Sequence, residues 1–148
     1  MTIEWDERLG TGIGVIDLEH RMMVMLVRKL DLAIARRMPK SLVLRTFDEL
    51  IELTRFHFVS EENLMQEINF PEVGPHMKVH SHLVSQLHVI AGRINGGREP
   101  PRKALDDLWS WLLDHATHMD AKFGEFQRRE QRWNLSTEAH DAVFAQHI

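Results

Sequence analysis

The 148-residue chain contains no cysteine and no tyrosine. The first absence excludes disulfides, thiolate nucleophiles, iron–sulfur clusters and cysteine-ligated zinc. The second excludes a tyrosyl radical or a tyrosine acid–base group. No apolar run approaches the ~20 residues of a membrane span. The net charge is −4, with acids and bases interspersed, whereas a nucleic-acid surface needs a basic face. We therefore expect neither a membrane nor a nucleic acid as a partner.

The chain also lacks a positively charged N-terminal region followed by an apolar stretch, so no signal peptide is predicted and a cytoplasmic location is expected. Its length is that of one domain. We predict a single domain over 1–148, with an extended N-terminal arm (1–16), a helical bundle (17–132) and a C-terminal tail (133–148). The tail is expected to hold a short helix after Ser136.

Proline and glycine divide the chain into four long segments whose apolar residues recur at helical spacing. The predicted helices begin at Leu18, at Ser41, near Pro75 and after Pro100-Pro101. They end near Met38, near Ile68, at the Asn95-Gly96-Gly97 break and near Arg129. Asp17 and Ser41 are the candidate N-caps. In the first helix the apolar residues Met22, Met25, Leu26 and Leu30 recur at helical spacing, and Met22 and Met25 are expected to fill the core. The inward stripe that carries His20 is expected to hold Met23, Val24, Val27 and Ile34. Four long helices with short connections favour an all-α, up-down-up-down four-helix bundle.

Histidine is unusually frequent, with ten residues. His57 and Glu61 are four residues apart, as are His76 and His80, so each pair shares one helix face. His20 and His115 lie in the apolar stripes of the first and fourth helices. If neighbouring helices are antiparallel, all these side chains meet at one end of the bundle.

Asp120 is the remaining candidate at that end. It follows His115 by five residues, a rotation of about 140° in an α-helix. This spacing is poor for binding one ion together with His115, and it is better suited to a carboxylate that reaches a second metal.

The number of candidate ligands suggests two ions. Two octahedral ions offer twelve coordination positions; five imidazoles, two bridging carboxylates and one bridging oxygen would leave one position open. Imidazole and carboxylate ligands suit iron, with manganese and zinc also possible on ligand type. Zinc prefers fewer ligands in a tetrahedral arrangement. An open position on a redox-active pair, inside an apolar pocket, suits a small diatomic ligand.

The series His20, His57-Phe58-Val59-Ser60-Glu61, His76-Met77-Lys78-Val79-His80 and His115 with Asp120 resembles the ligand set of the hemerythrins. Trp5 and the run Gly12-Ile13-Gly14-Val15-Ile16-Asp17-Leu18-Glu19-His20 resemble bacterial single-domain members, the bacteriohemerythrins. The resemblance covers about residues 3–130 and implies an oxo- or hydroxo-bridged di-iron centre that binds O₂ reversibly. It implies one iron on His76, His80 and His115, the other on His20 and His57, and Glu61 and Asp120 as bridges.

The resemblance also implies an O₂ pocket. Phe58, Trp111 and Leu112 match pocket residues of the family, and Met23 lies in the stripe of His20. Ala116 departs from the branched aliphatic residue common after the fourth-helix histidine, which opens space beside the metal. Glu62 could bond a ligand imidazole from outside the site.

Three functions remain open from the sequence. The favoured one is an O₂ carrier, store or delivery protein, which is not an enzyme. The second is an oxygen or redox sensor that acts on a separate, unknown partner protein. The third, a di-iron oxygenase or peroxidase, is disfavoured because oxygen-activating bundles commonly use Glu-x-x-His motifs, which this chain lacks.

Overall fold

The computed structural model of the chain describes residues 3–134, in which all the regular secondary structure is helical and no strand occurs. A 3₁₀ turn at Glu7–Leu9 precedes the first long helix. The remaining elements are α1 (Gly14–Ala35), α2 (Lys40–Glu67), α3 (Val73–Asn95), α4 (Pro101–His115), a π-helical turn (Ala116–Asp120) and α5 (Ala121–Asn134). The predicted all-α fold is confirmed. The segment predicted as the fourth helix consists of α4, the π-helical turn and α5, which follow one another without a break.

The start of α1 differs from the prediction. The helix begins at Gly14, four residues earlier than expected, and Asp17 lies inside its first turn rather than at the N-cap. The Asp17 carboxylate instead accepts hydrogen bonds from the backbone N–H and hydroxyl of Thr11 and from the N–H of Gly12. Asp17 therefore holds the arm against the helix instead of capping it, and the arm is extended only in part.

The starts of α2 and α3 are also earlier than predicted. Ser41 is the second residue of α2, whose N-cap is Pro39 without a side-chain hydrogen bond. Pro75 is the third residue of α3, which begins at Val73. A proline is tolerated there because the first N–H groups of a helix have no partner within the helix.

The main apolar core lies between the four long helices and includes Val27, Leu30, Leu50, Leu87 and Leu105. In α1 the buried methionine is Met23, whereas Met22 and Met25 are 44% and 67% exposed. Their predicted place in the core is wrong because the stripe of α1 that faces the core runs through residues 16, 19, 20, 23, 24, 27 and 30. Residues 20, 23, 24 and 27 of that stripe are those predicted to face inward with His20.

A smaller core cluster joins the start of α1, the end of α2 and α5. Next to this cluster the N-terminal arm contacts α5: the Arg128 guanidinium donates a hydrogen bond to the backbone carbonyl of Thr11 at 2.5 Å. A Cβ added to Gly124 would lie 2.3 Å from that carbonyl oxygen, so only glycine allows the arm this close. We call Thr11, Asp17, Gly124 and Arg128 the arm clamp.

Within the described part of the chain, none of the helices has both the length and the apolar character required to cross a membrane. The predicted helix after Ser136 lies outside the described residues. The assignment of the whole chain to one domain stays a prediction.

Candidate metal centre

Seven buried side chains from all four long segments of the bundle meet at one end. They form two groups whose ligand atoms lie within 4.8 Å of one another. The five-residue group is Glu61, His76, His80, His115 and Asp120; the four-residue group is His20, His57, Glu61 and Asp120. The structure thus brings together all seven residues that the sequence singled out as metal ligands.

The two carboxylates belong to both groups, and each directs one oxygen to each group. Glu61 Oε1 lies 2.9 Å from His76 Nε2, while its Oε2 lies 3.4 Å from His57 Nε2. Asp120 Oδ1 lies 3.1 Å from His115 Nε2, while its Oδ2 lies 3.2 Å from His20 Nε2. This is the arrangement that two carboxylates need to be shared between two neighbouring cations.

The imidazoles of the four-residue group turn their lone pairs toward each other. His20 Nδ1 donates to the carbonyl of Leu9 at 2.8 Å, and His57 Nδ1 donates to the Glu19 carboxylate at 2.8 Å. In the neutral ring the other nitrogen then carries only a lone pair. The two Nε2 atoms are nevertheless 3.2 Å apart. Two facing acceptors at that distance need a proton or a metal cation between or beside them; burial acts to lower the pKa of His20, but the Asp120 carboxylate outweighs it and raises that pKa.

The five-residue group repeats the pattern. Glu62 Oε1 accepts from His80 Nδ1 at 3.0 Å, and His80 Nε2 lies 3.1 Å from His115 Nε2. The ring of Phe58 stacks on His80 with centroids 3.7 Å apart and fixes the plane of that imidazole. Both groups therefore present preorganised imidazole donors.

His115 and Asp120 belong to the same group, contrary to the sequence prediction that their spacing is poor for one ion. The predicted rotation assumed a regular α-helix, but the residues between them form a π-helical turn with i→i+5 hydrogen bonding. The wider turn brings residues five apart onto one face. The contact of 3.1 Å between His115 Nε2 and Asp120 Oδ1 is the result.

Burial keeps two of the histidines neutral. It lowers the pKa of His57, and burial together with the charges of neighbouring imidazoles lowers the pKa of His80 to about 2. A neutral imidazole is the form that binds a metal. These rings are thus ready to coordinate at a pH at which a free histidine is partly protonated.

The Glu61 and Asp120 carboxylates influence each other's ionisation. Burial and the nearby charge of Asp120 raise the pKa of Glu61 well above its usual value. Burial also acts to raise the pKa of Asp120, but close contacts with the imidazoles of His115, His20 and His76 outweigh it and hold that pKa well below its usual value. Two buried carboxylates this close cannot both ionise easily without a cation.

Both Glu61 oxygens and Asp120 Oδ2 are buried and accept no hydrogen bond within the described residues. Leaving such a group unsatisfied costs about 1–3 kcal/mol, and more when it is charged. Metal ions would satisfy these oxygens and the facing nitrogens at once. The residues present therefore fit a pair of metal ions.

An apolar cavity adjoins the four-residue group. The volume open to the centre of a water-sized molecule is about 30 Å³. Four of the five predicted pocket residues line it: Met23, Phe58, Leu112 and Ala116. Trp111 does not; it is half-buried against the core, and Trp109 lines the cavity instead. Residues 109, 112, 113 and 116 share one helix face, and 111 lies off it.

Residues 11–126 match the family model of the hemerythrin HHE cation binding domain. The chain belongs to the hemerythrin family. The bacteriohemerythrin of Stenotrophomonas maltophilia is 28% identical over 135 residues, which cover 86% of this chain and 88% of the relative. The bacteriohemerythrin of Pseudomonas aeruginosa strain LESB58 is 27% identical over 119 residues (80% and 77%). The myohemerythrin of Sipunculus nudus is 31% identical over 120 residues (80% and 88%).

The resemblance drawn from the sequence is confirmed. The hemerythrin domain binds two iron ions, and the buried cluster described above is able to hold metal ions. Imidazole and carboxylate donors without sulfur are a set that suits iron.

Sequence reasoning missed three groups around this hemerythrin site. They are the Glu19 carboxylate, the Leu9 carbonyl and the Trp109 side chain. Glu19 carried a usable signal, because a glutamate three residues after the buried Ile16 occupies an inward position of α1. The Leu9 carbonyl carried no such signal, because every residue has a backbone carbonyl and the sequence does not show which one meets a histidine.

Proposed function

We propose that this chain is a non-haem di-iron protein that binds O₂ reversibly, as a carrier, store or delivery protein. In this proposal His76, His80 and His115 hold one iron, and His20 and His57 hold the other. Glu61 and Asp120 are shared by both. The observation that carries the proposal is that each carboxylate directs one oxygen to each histidine group.

The two ligand groups hold unequal numbers of histidines, which supports O₂ binding at the four-residue group. The four-residue group has two imidazoles against three in the other. Both imidazoles of the four-residue group line the cavity, whereas only His115 of the other group does. Iron supplies the electrons and the open coordination position that O₂ requires. The chain supplies a small space for a diatomic ligand beside His20 and His57.

The cavity walls are expected to keep water away from bound O₂. Leu9, Met23 and Trp109 are all buried, and no charged side chain apart from the ligands lines the space. A dry site slows proton delivery and thereby the loss of bound oxygen. Reversible binding rather than oxygenation follows from such walls together with a ligand set dominated by neutral imidazoles.

The first test is metal content combined with the optical spectrum. We expect two irons per chain and a visible absorption band that appears when the reduced protein meets air and disappears when O₂ is removed. A firm ratio of one iron per chain, or zinc as the sole native metal, would contradict the proposal. Turnover of peroxide at enzymatic rates would favour a peroxidase instead.

Oxygen sensing is the second candidate, favoured by the contact between the arm and the site. The carbonyl of Leu9 in the arm accepts from His20, so a change at this ligand reaches a surface segment directly. Proteolysis of the arm in the reduced and oxygenated forms tests this role. Equal cleavage rates of the arm in the reduced and oxygenated forms would contradict a sensing role and favour the carrier function.

A further inference from the structure

Glu19 is a buried carboxylate that belongs to neither ligand group. It is 4% exposed and precedes His20 in α1, but its side chain faces α2. Its Oε1 accepts from His57 Nδ1 at 2.8 Å, and its Oε2 accepts from the Ser60 hydroxyl at 2.8 Å. Both oxygens are therefore held, and the carboxylate is fixed in one orientation.

This contact decides how His57 faces the centre. Because a carboxylate only accepts, the His57 proton is on Nδ1 and the Nε2 lone pair is directed to the cluster. Nε2 accordingly lies 3.2 Å from His20 Nε2 and 3.4 Å from Glu61 Oε2. A carboxylate behind a ligand imidazole fixes the ring and raises its basicity toward the metal.

The outer partners of the ligand histidines differ between the two groups. In the four-residue group, His57 has the buried Glu19 and His20 has only the neutral carbonyl of Leu9. In the other group, His80 has Glu62, whose side chain is 17% exposed and therefore more strongly screened by water. The group with fewer imidazoles is thus the one backed by a fully buried negative charge.

We propose that Glu19 is a positioning residue that, through His57, sets the iron affinity and the reduction potential of the two-histidine position. This inference rests on the di-iron function proposed above. A buried anion near the ion favours the more highly charged oxidation state, so Glu19 lowers the potential of that iron. Loss of an outer partner of this kind typically costs about 10–100-fold in metal affinity.

The test replaces the charge and keeps the shape, as Glu19→Gln. The full-length protein is loaded with Fe(II) without oxygen and equilibrated with increasing concentrations of a competing chelator, and the retained iron is counted. We expect one of the two irons to be lost at a chelator strength about 10–100-fold lower than in the unaltered chain. The reduction potential of the remaining loaded protein is expected to rise.

Three further variants separate this role from a structural one. Ser60→Ala keeps the charge but frees one oxygen, so a smaller loss at the same position is expected. Glu62→Gln removes the partner of His80 and should weaken the other iron. Glu49→Gln, which only removes an exposed ion pair with Lys29, should change neither.

The outcomes distinguish this inference from the function on which it rests. Failure of the unaltered chain to bind two irons refutes the di-iron function itself. If that chain binds two irons but Glu19→Gln retains both equally well, or loses both together, the positioning role is refuted. It is also refuted if Glu19→Gln lowers only the melting temperature of the metal-free chain, with iron retention and potential unchanged. Should Glu19→Gln not fold, Ser60→Ala decides by the same criteria.

Discussion

The arm clamp predicts that adding one methyl group to α5 weakens the fold at the edge of the metal site. In Gly124→Ala the new Cβ would lie 2.3 Å from the Thr11 carbonyl oxygen and 3.0 Å from its carbonyl carbon, where ordinary contact begins near 3.4 Å. The neighbouring atoms are backbone rather than the end of a flexible side chain. The arm must therefore retreat by about 1 Å from α5.

Two opposing effects set the magnitude. Alanine is better than glycine inside a helix by about 0.5–1 kcal/mol. Strain from one extra carbon in a packed site costs about 1–3 kcal/mol, and the short hydrogen bond from Arg128 to Thr11 is disturbed as well. The expected net change in the free energy of unfolding is a loss of about 1–2 kcal/mol.

Gly92→Ala in α3 is the matched control, because nothing lies within 4 Å of a Cβ at that position. It should gain about 0.5–1 kcal/mol from the helix effect alone. Urea unfolding of the metal-free chain measures both variants. A Gly124→Ala protein as stable as Gly92→Ala would refute the argument that the arm is pressed against α5.

Three other perturbations have defined outcomes. Because burial lowers the pKa of His57 and His80, both rings should stay neutral in the metal-free protein when the pH falls from 7 to 5, a range in which a free histidine gains its proton; imidazole NMR shifts of these two rings that titrate near pH 6.5 would contradict this. Glu61→Gln should abolish iron binding yet stabilise the metal-free chain at pH 7, since the raised pKa of Glu61 shows that its buried charge is costly. Thermal unfolding of the metal-free variant and of the metal-free unaltered chain tests this, and a lower melting temperature of the variant would refute it. Ala116→Val should narrow the cavity of about 30 Å³ on the side of residue 116 and so slow optical decay of the oxygenated form and weaken azide binding without loss of iron; equal or faster decay would show that position 116 does not shield the ligand.

The bundle could be predicted from the sequence because its signals are periodic and local. Apolar spacing and the breaks at proline and glycine indicated four long helices, and the i, i+4 pairs such as His57 with Glu61 placed ligands on one face. Helix starts were less accurate. Asp17 and Ser41 are good capping residue types, but Asp17 bonds the arm instead, and Ser41 is the second residue of α2, whose N-cap is Pro39.

What the sequence could not supply depends on contacts between distant segments. The role of Gly124 depends on Thr11, which is 113 residues earlier in the chain. The exposure of Met22 and Met25 depends on which side of α1 meets the core, and both sides of that helix carry apolar residues. Trp109 and Trp111 are similar residues two positions apart, and only the rotation of α4 shows which one reaches the cavity.

The π-helical turn has a consequence for how sites of this kind are recognised and altered. Between His115 and Asp120 the chain has one residue more than an α-helix needs to place two ligands on one face. Deleting the exposed His118 would turn the i, i+5 pair into an i, i+4 pair, and α5 would follow Asp120 in unchanged register. A histidine and an acid with three residues between them in an α-helix therefore present the same geometry as a histidine and an acid with four residues between them across a π-helical turn. A one-residue alignment gap at this place does not signify a lost ligand.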